Sequence, residues 1–96
     1  MKAPILALLA IAVMAASPAA ADCYADYKAK QDDPLRLHYG VAQVSDPVCD
    51  DTKAARAELA PKLEADGWKL IKIVGFFGPE GLDERKLSAG DYFLRY

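Results

Sequence analysis

The chain has 96 residues, with 12 Lys and Arg against 14 Asp and Glu, for a formal net charge of −2 at pH 7. This mild acidic balance gives no electrostatic basis for binding nucleic acid or anionic lipid, so nucleic acid is excluded as a partner. The length fits one small domain with a core of modest stability.

The first 21 residues have the pattern of a secretory signal peptide. Lys2 supplies a positive charge, residues 5–16 form an unbroken apolar run, and residues 19–21 are the small residues that precede a cleavage site. The apolar run is too short to cross a bilayer, which takes about 20 residues. The sequence predicts a periplasmic protein without a membrane span after cleavage, in which residues 22–96 form a single small exported α+β domain.

Cys23 and Cys49 are the only two cysteines, and an oxidising compartment favours a disulfide between them. Such a bridge closes a loop of 26 residues and stabilises the domain by about 3 kcal/mol. A metal site with His38 as third ligand and a redox pair are the alternatives. Neither has the Cys-x-x-Cys spacing that usually marks this chemistry. We therefore predict a structural disulfide, with no metal and no cofactor.

Two elements are predicted before the second cysteine. Tyr24 and Tyr27, spaced three apart, predict a short helix over residues 22–31, which ends at residues 32–34. Residues 35–44 alternate between apolar and polar side chains, which is typical of a half-buried strand. The apolar face of this strand begins at Leu35 and Leu37, whereas Arg36 and His38 belong to its exposed face.

A helix and a long strand follow. Residues 50–52 can cap a helix, whose apolar face is formed by Ala55, Leu59 and Leu63, and Pro61 predicts a kink or a restart within it. In the strand over residues 68–77, the apolar pattern changes phase between residues 70 and 71. This change predicts either a bulge or a strand covered on both faces by a second layer, supplied by the N-terminal tyrosines or by another subunit.

The chain closes with a loop and a final strand. Residues 78–81 (GPEG) predict a turn, because Pro79 removes an amide and no lysine or serine follows Gly81 as a phosphate loop requires. Residues 82–88 can form a helical turn, and residues 91–96 read as a strand. Together the elements predict an α+β fold: a three-stranded sheet in β-α-β-β order, with one helix on a face and a short N-terminal helix tethered by the disulfide.

Residues 63–73 (LEADGWKLIKI) and the terminal residues 92–96 (YFLRY) resemble a bacterial family of small domains of unknown function. Its hallmark is a helix that runs into Gly-Trp-Glu-Leu and a strand, with a last strand that ends in aromatic and basic residues. The resemblance covers the second half of the chain, where Lys69 replaces the glutamate. It implies a fold and no activity.

The function predicted from these patterns is non-catalytic: contact with an unknown envelope protein, or self-association, through the sheet. The excess of apolar side chains over residues 70–77, without a convergent set of reactive groups, favours it. One alternative is a small-ligand site built on Trp68 and nearby tyrosines, and a further one is an enzyme that uses His38. The candidate surface consists of Trp68, Leu70, Ile71, Phe76, Phe77 and Tyr92.

Overall fold

A three-stranded antiparallel sheet with a helix on each face forms the frame of the molecule. The computed structural model describes residues 22–95, so the predicted signal peptide lies outside the described residues. The strands are β1 (Cys23–Gln31), β2 (Arg36–Val44) and β3 (Lys69–Phe77), in the spatial order β2-β1-β3. Helix α1 (Thr52–Ala65) connects β2 to β3, and α2 (Leu82–Ala89) follows β3. The fold is α+β, as predicted.

The N-terminal segment corrects the sequence-based prediction, because it is the central strand of the sheet and not a helix. Tyr27 is fully buried in the core on the α1 side, whereas Tyr24 is buried with Ala89 of α2 on the opposite face. The helix prediction rests on the three-residue spacing of these two tyrosines, which in fact lie on opposite faces of a strand, while residues 25–30 alternate between apolar and polar side chains as a strand does. The chain order is therefore β-β-α-β-α.

The face of β2 that packs on α1 is the one that the sequence predicts to be polar and exposed. His38 lies opposite Ala29, and Gly40 lies opposite Tyr27, so both share the core face of the sheet. A Cβ added at Gly40 would lie 2.5 Å from Tyr27 Cζ. The glycine thus leaves the space that the tyrosine ring fills, while Leu35 and Leu37 are exposed.

Strand β3 contains a bulge, which is one of the two outcomes that the phase change predicts. Its pairing with β1 shifts between Lys28 and Ala29, which leaves Ile71 as an extra residue beside Lys72. Arg56 of α1 donates hydrogen bonds to the carbonyl oxygens of Leu70, at 3.0 Å, and Ile71, at 3.2 Å. The guanidinium group therefore supports the backbone where the ladder is interrupted.

Helix α1 and the disulfide agree with the sequence. The Asp51 side chain accepts a hydrogen bond from the Ala54 amide at 3.0 Å, which caps the helix, and Ala55, Leu59 and Leu63 are buried as predicted. The helix continues through Pro61 without restarting. Cys23 and Cys49 form a disulfide with a Cα–Cα distance of 6.0 Å, joining the start of β1 to the segment before α1.

The predicted final strand is also wrong. A 3-10 turn at Gly90–Tyr92 precedes Phe93, which forms an isolated parallel bridge with Val41. The backbone φ angles of 55° at Gly90 and 60° at Leu94 interrupt any extended run. Over residues 22–95, neither helix has the length and apolar character to cross a membrane.

Candidate functional site

Helix α2 covers one half of the sheet face opposite α1. At the covered end, Tyr24 of β1, Val41 of β2 and Phe77 of β3 form a small apolar cluster with Ala89 of α2. The helix has only eight residues, about 12 Å at 1.5 Å per residue. Beyond the cluster Lys28, Leu37 and Lys72 are exposed, so within residues 22–95 the other half of this face is open.

A polar network marks the boundary between the covered and the open half. Tyr39 donates a hydrogen bond to the buried Asp26 carboxylate at 2.8 Å, and Arg85 Nε of α2 lies 3.5 Å from the same oxygen. The Arg85 guanidinium also lies 4.0 Å from the Phe77 ring centroid. Burial, and then the hydrogen bond to Asp26, raise the pKa of Tyr39 to about 12. The network therefore anchors α2 on β1 with Tyr39 as a neutral donor.

Four lysines occupy the open half in two directly opposed pairs. The strand register places Lys28 of β1 opposite Lys72 of β3, and Lys30 opposite Lys69. Lys30 forms an ion pair with Asp32 at 3.5 Å, whereas the other three have no carboxylate partner within 4.0 Å among residues 22–95. Like charges directly opposite each other destabilise a sheet. This arrangement is therefore unfavourable for the domain alone.

Apolar side chains lie among these lysines. Leu37 of β2 and Ile71 of β3 are 65% and 42% exposed, large fractions for side chains of this size. They border a shallow groove of about 260 Å³, whose floor is sheet backbone, since the side chains of Ala29 and His38 face α1. The groove is lined by Lys28, Ala29, Leu37, His38, Tyr39 and Ile71.

We call the open half the lysine face and define it by the following residues. It consists of Lys28, Lys30, Leu37, Tyr39, Lys69, Ile71 and Lys72.

Most residues of the predicted surface lie elsewhere. Trp68, 7% exposed, and Leu70 belong to the core on the α1 side, where half-buried Phe76 also packs. Phe77 is half-buried in the cluster with α2, so of the six predicted residues Ile71 alone is part of the lysine face. The lysines were missed because the N-terminal segment was predicted as a helix, which hides its pairing with β3.

His38 is buried, which corrects its predicted position on an exposed face. Its Nε2 is hydrogen-bonded to Tyr27 Oη at 3.0 Å, and its ring stacks on Tyr92 with 3.7 Å between centroids and 8° between planes. Trp68 lies edge-on at 4.2 Å. Burial lowers the pKa of His38 below its ordinary value.

These aromatic contacts enclose the imidazole of His38. Its Nδ1 has no hydrogen-bond partner in the part of the chain that is described, so no carboxylate orients the ring as a general base requires. Nor do residues 22–95 contain a group of three His, Cys, Asp or Glu placed to hold a metal ion.

No protein-family model, no curated protein and no solved structure matches this chain. The resemblance to the family of small domains therefore stays a prediction. Its structural hallmark is present in part, since α1 runs through Gly67 and Trp68 into β3, whereas residues 92–95 do not form a last strand.

Proposed function

We propose that this chain is an exported, non-catalytic binding domain that holds an anionic partner on its lysine face. The observation that carries the proposal is the double opposition of Lys28 to Lys72 and of Lys30 to Lys69. Each like-charge pair costs the fold on the order of 0.2–1 kcal/mol. An anionic partner offsets that cost, because it is attracted by the positive charges of all four lysines.

The non-catalytic part of the proposal rests on the composition of the lysine face. Its ionisable groups are four lysines and Tyr39, whose hydroxyl is already hydrogen-bonded to Asp26. The imidazole of His38, the residue proposed for an enzyme, lies on the opposite side of the sheet beneath Tyr92. A nucleophile and a base within hydrogen-bonding distance of each other are the usual requirement for such chemistry.

Export is proposed from two features taken together. The first 21 residues have the pattern of a signal peptide. A disulfide between Cys23 and Cys49 in a small domain is compatible with an extracellular or periplasmic location, where such bonds persist.

A second candidate function is self-association through the outer edge of β2. Leu94 N donates to Val41 O at 2.8 Å, so the C-terminal segment covers this edge at Val41. In the described part of the chain no strand pairs with the outer edge at residues 36–40, and Leu37 within this edge and Leu35 just before it are exposed. Such an edge favours pairing with a second copy. A two-fold dimer through the lysine face itself is disfavoured, because it brings lysine against lysine.

The main proposal is tested with charge-neutral variants of the full chain, exported by its own leader and purified. The probe is fluorescent poly-L-glutamate, and the dissociation constant is measured by anisotropy at low salt. We expect the double variant Lys28→Gln/Lys72→Gln to bind about tenfold more weakly, because each lysine contributes about 1 kcal/mol at an anionic surface and part of this is screened.

The matched control is Lys53→Gln/Lys62→Gln on exposed positions of α1, which changes the net charge equally. This control is expected to stay within twofold of the wild type. Urea unfolding provides a second measurement, since removing opposed charges leaves the Lys28 and Lys72 variant at least as stable as the wild type. Equal weakening of both double variants would show that net charge, and not the lysine face, attracts the polyanion.

The second candidate is tested by size-exclusion chromatography with light scattering. A mass that rises with protein concentration is expected from edge pairing, and Leu35→Lys should reduce that rise because a lysine blocks an edge strand. A monomer at every concentration argues against self-association and leaves the main proposal intact.

A further inference from the structure

The apolar groove within the lysine face restricts the shape of the anionic partner. Its walls are the side chains of Leu37, Tyr39 and Ile71 with the stem of Lys28. A purely polar polyanion leaves the exposed leucine and isoleucine in water. A ligand that carries both an apolar chain and a negative group covers them and also meets the lysines.

The height of α2 above the sheet argues against a flat bilayer as that ligand. Layers of secondary structure pack about 10 Å apart, so α2 forms a step beside the open half of the sheet. A flat surface meets this helix before it reaches the groove, so it cannot contact the floor beside Leu37 and Ile71. A single molecule lying along the floor avoids this contact.

The width of the sheet sets the length of the apolar part. The groove crosses from Leu37 on β2 to Ile71 on β3. This is two strand spacings of about 4.8 Å, or about 10 Å in all. It corresponds to roughly eight extended carbon–carbon bonds. At the β3 end, Lys72 lies beside Ile71 and opposite Lys28, so a charged head group at that end meets two ammonium groups.

We propose that the lysine face binds a single medium-chain carboxylate, such as a free fatty acid monomer. Its alkyl chain lies between Leu37 and Ile71, and its carboxylate lies between Lys28 and Lys72. This inference rests on the proposed function, and it adds the substrate class: an anionic amphiphile bound one molecule at a time.

Isothermal titration calorimetry on the purified full chain tests the inference, with hexanoate, octanoate and decanoate as probes below their micelle concentrations. We expect affinity to rise about twofold per added methylene, as for a half-buried chain, and to level off once the chain exceeds the groove. Decyl maltoside, which has an equal chain and no charge, is expected to bind at least tenfold more weakly than decanoate because it lacks the contacts to both lysines.

Two leucine variants separate chain binding from charge binding. Leu37→Ser should weaken decanoate binding several-fold and leave poly-L-glutamate binding unchanged. Leu87→Ser is the matched control, since Leu87 is 94% exposed on α2 and lies outside the groove. It should change neither affinity. Both positions are exposed, so urea unfolding should show a native fold in each variant.

The outcomes distinguish this inference from the proposed function. If poly-L-glutamate binds through Lys28 and Lys72 but decanoate binds no more tightly than hexanoate, the inference of an amphiphilic ligand is wrong. The proposed anion-binding function then still holds. Binding to phosphatidylglycerol vesicles without binding of decanoate monomers assigns the face to a bilayer and also overturns the inference. If no anionic probe binds, both the proposed function and this inference are wrong.

Discussion

The contact between Tyr27 and Gly40 gives the sharpest test of the packing. A Gly40→Ala substitution places a methyl carbon 2.5 Å from Tyr27 Cζ, where carbon atoms normally approach to about 3.5–4.0 Å. The tyrosine cannot yield easily, because it is fully buried on the central strand. Its hydroxyl is also hydrogen-bonded to His38 Nε2 at 3.0 Å, so any movement of the ring strains this bond.

The magnitude follows from three contributions. Overpacking a core typically costs about 1–3 kcal/mol. Loss of the buried hydrogen bond between Tyr27 and His38 adds about 1 kcal/mol. Replacing glycine by alanine also stabilises the protein by roughly 0.5–1 kcal/mol, because alanine lowers the conformational entropy of the unfolded chain. We expect Gly40→Ala to lower the free energy of unfolding by about 1–3.5 kcal/mol, a large part of the stability of a domain of this size.

Urea unfolding followed by Trp68 fluorescence measures this loss, since Trp68 is buried against His38 and becomes exposed on unfolding. Gly75→Ala is the control, because its added Cβ would lie at an ordinary 3.7 Å from Asp26 Oδ1. We expect it to stay within about 0.5 kcal/mol of the wild type. If Gly40→Ala is equally mild, the close packing of Tyr27 on Gly40 is not what fixes this part of the core.

Three further predictions concern the disulfide and the buried ionisable groups. Replacing Cys23 and Cys49 by serine should lower the free energy of unfolding by about 3.5 kcal/mol, from the 26-residue separation, as measured in urea. Burial lowers the pKa of His38 in the folded state, so its contribution to the free energy of unfolding is complete above the ordinary value of 6.5 and is lost as the pH falls through 6.5 towards the folded-state pKa. His38→Gln should therefore lose less stability than the wild type between pH 7 and pH 5. In an ultraviolet titration Tyr39 should ionise near pH 12, and Asp26→Asn should lower that pKa because it removes the charged acceptor.

The sequence predicts those elements whose signal is local. The cap at Asp51, the buried positions of α1 and the bulge at Leu70 and Ile71 each follow from side chains within a few residues of one another. The disulfide follows from the cysteine count together with the export that the sequence predicts. Each of these predictions is confirmed.

The errors arise in the strands of the sheet. Residues 25–30 of β1 alternate between apolar and polar side chains, but the three-residue spacing of Tyr24 and Tyr27 favours a helix, although the two rings lie on opposite faces of the strand. Strand β2 is assigned the wrong buried face for another reason: small Gly40 and Ala42 face the core to make room for Tyr27 and α1. The apolar Leu37 is then left in solvent.

The net charge of the chain does not predict the candidate site, because the lysines come together only through the register of the strands. A chain with a formal charge of −2 has no cationic appearance, yet antiparallel pairing brings lysines of β1 and β3 together from positions some 40 residues apart. The acidic residues that balance these lysines are spread over the rest of the chain, so the net charge does not reveal the local cluster. Helix α2 packs on the sheet only at the end that holds Tyr24 and Asp26. The second core cluster ends there, and the other half of the face is the part on which we propose that an anionic ligand binds.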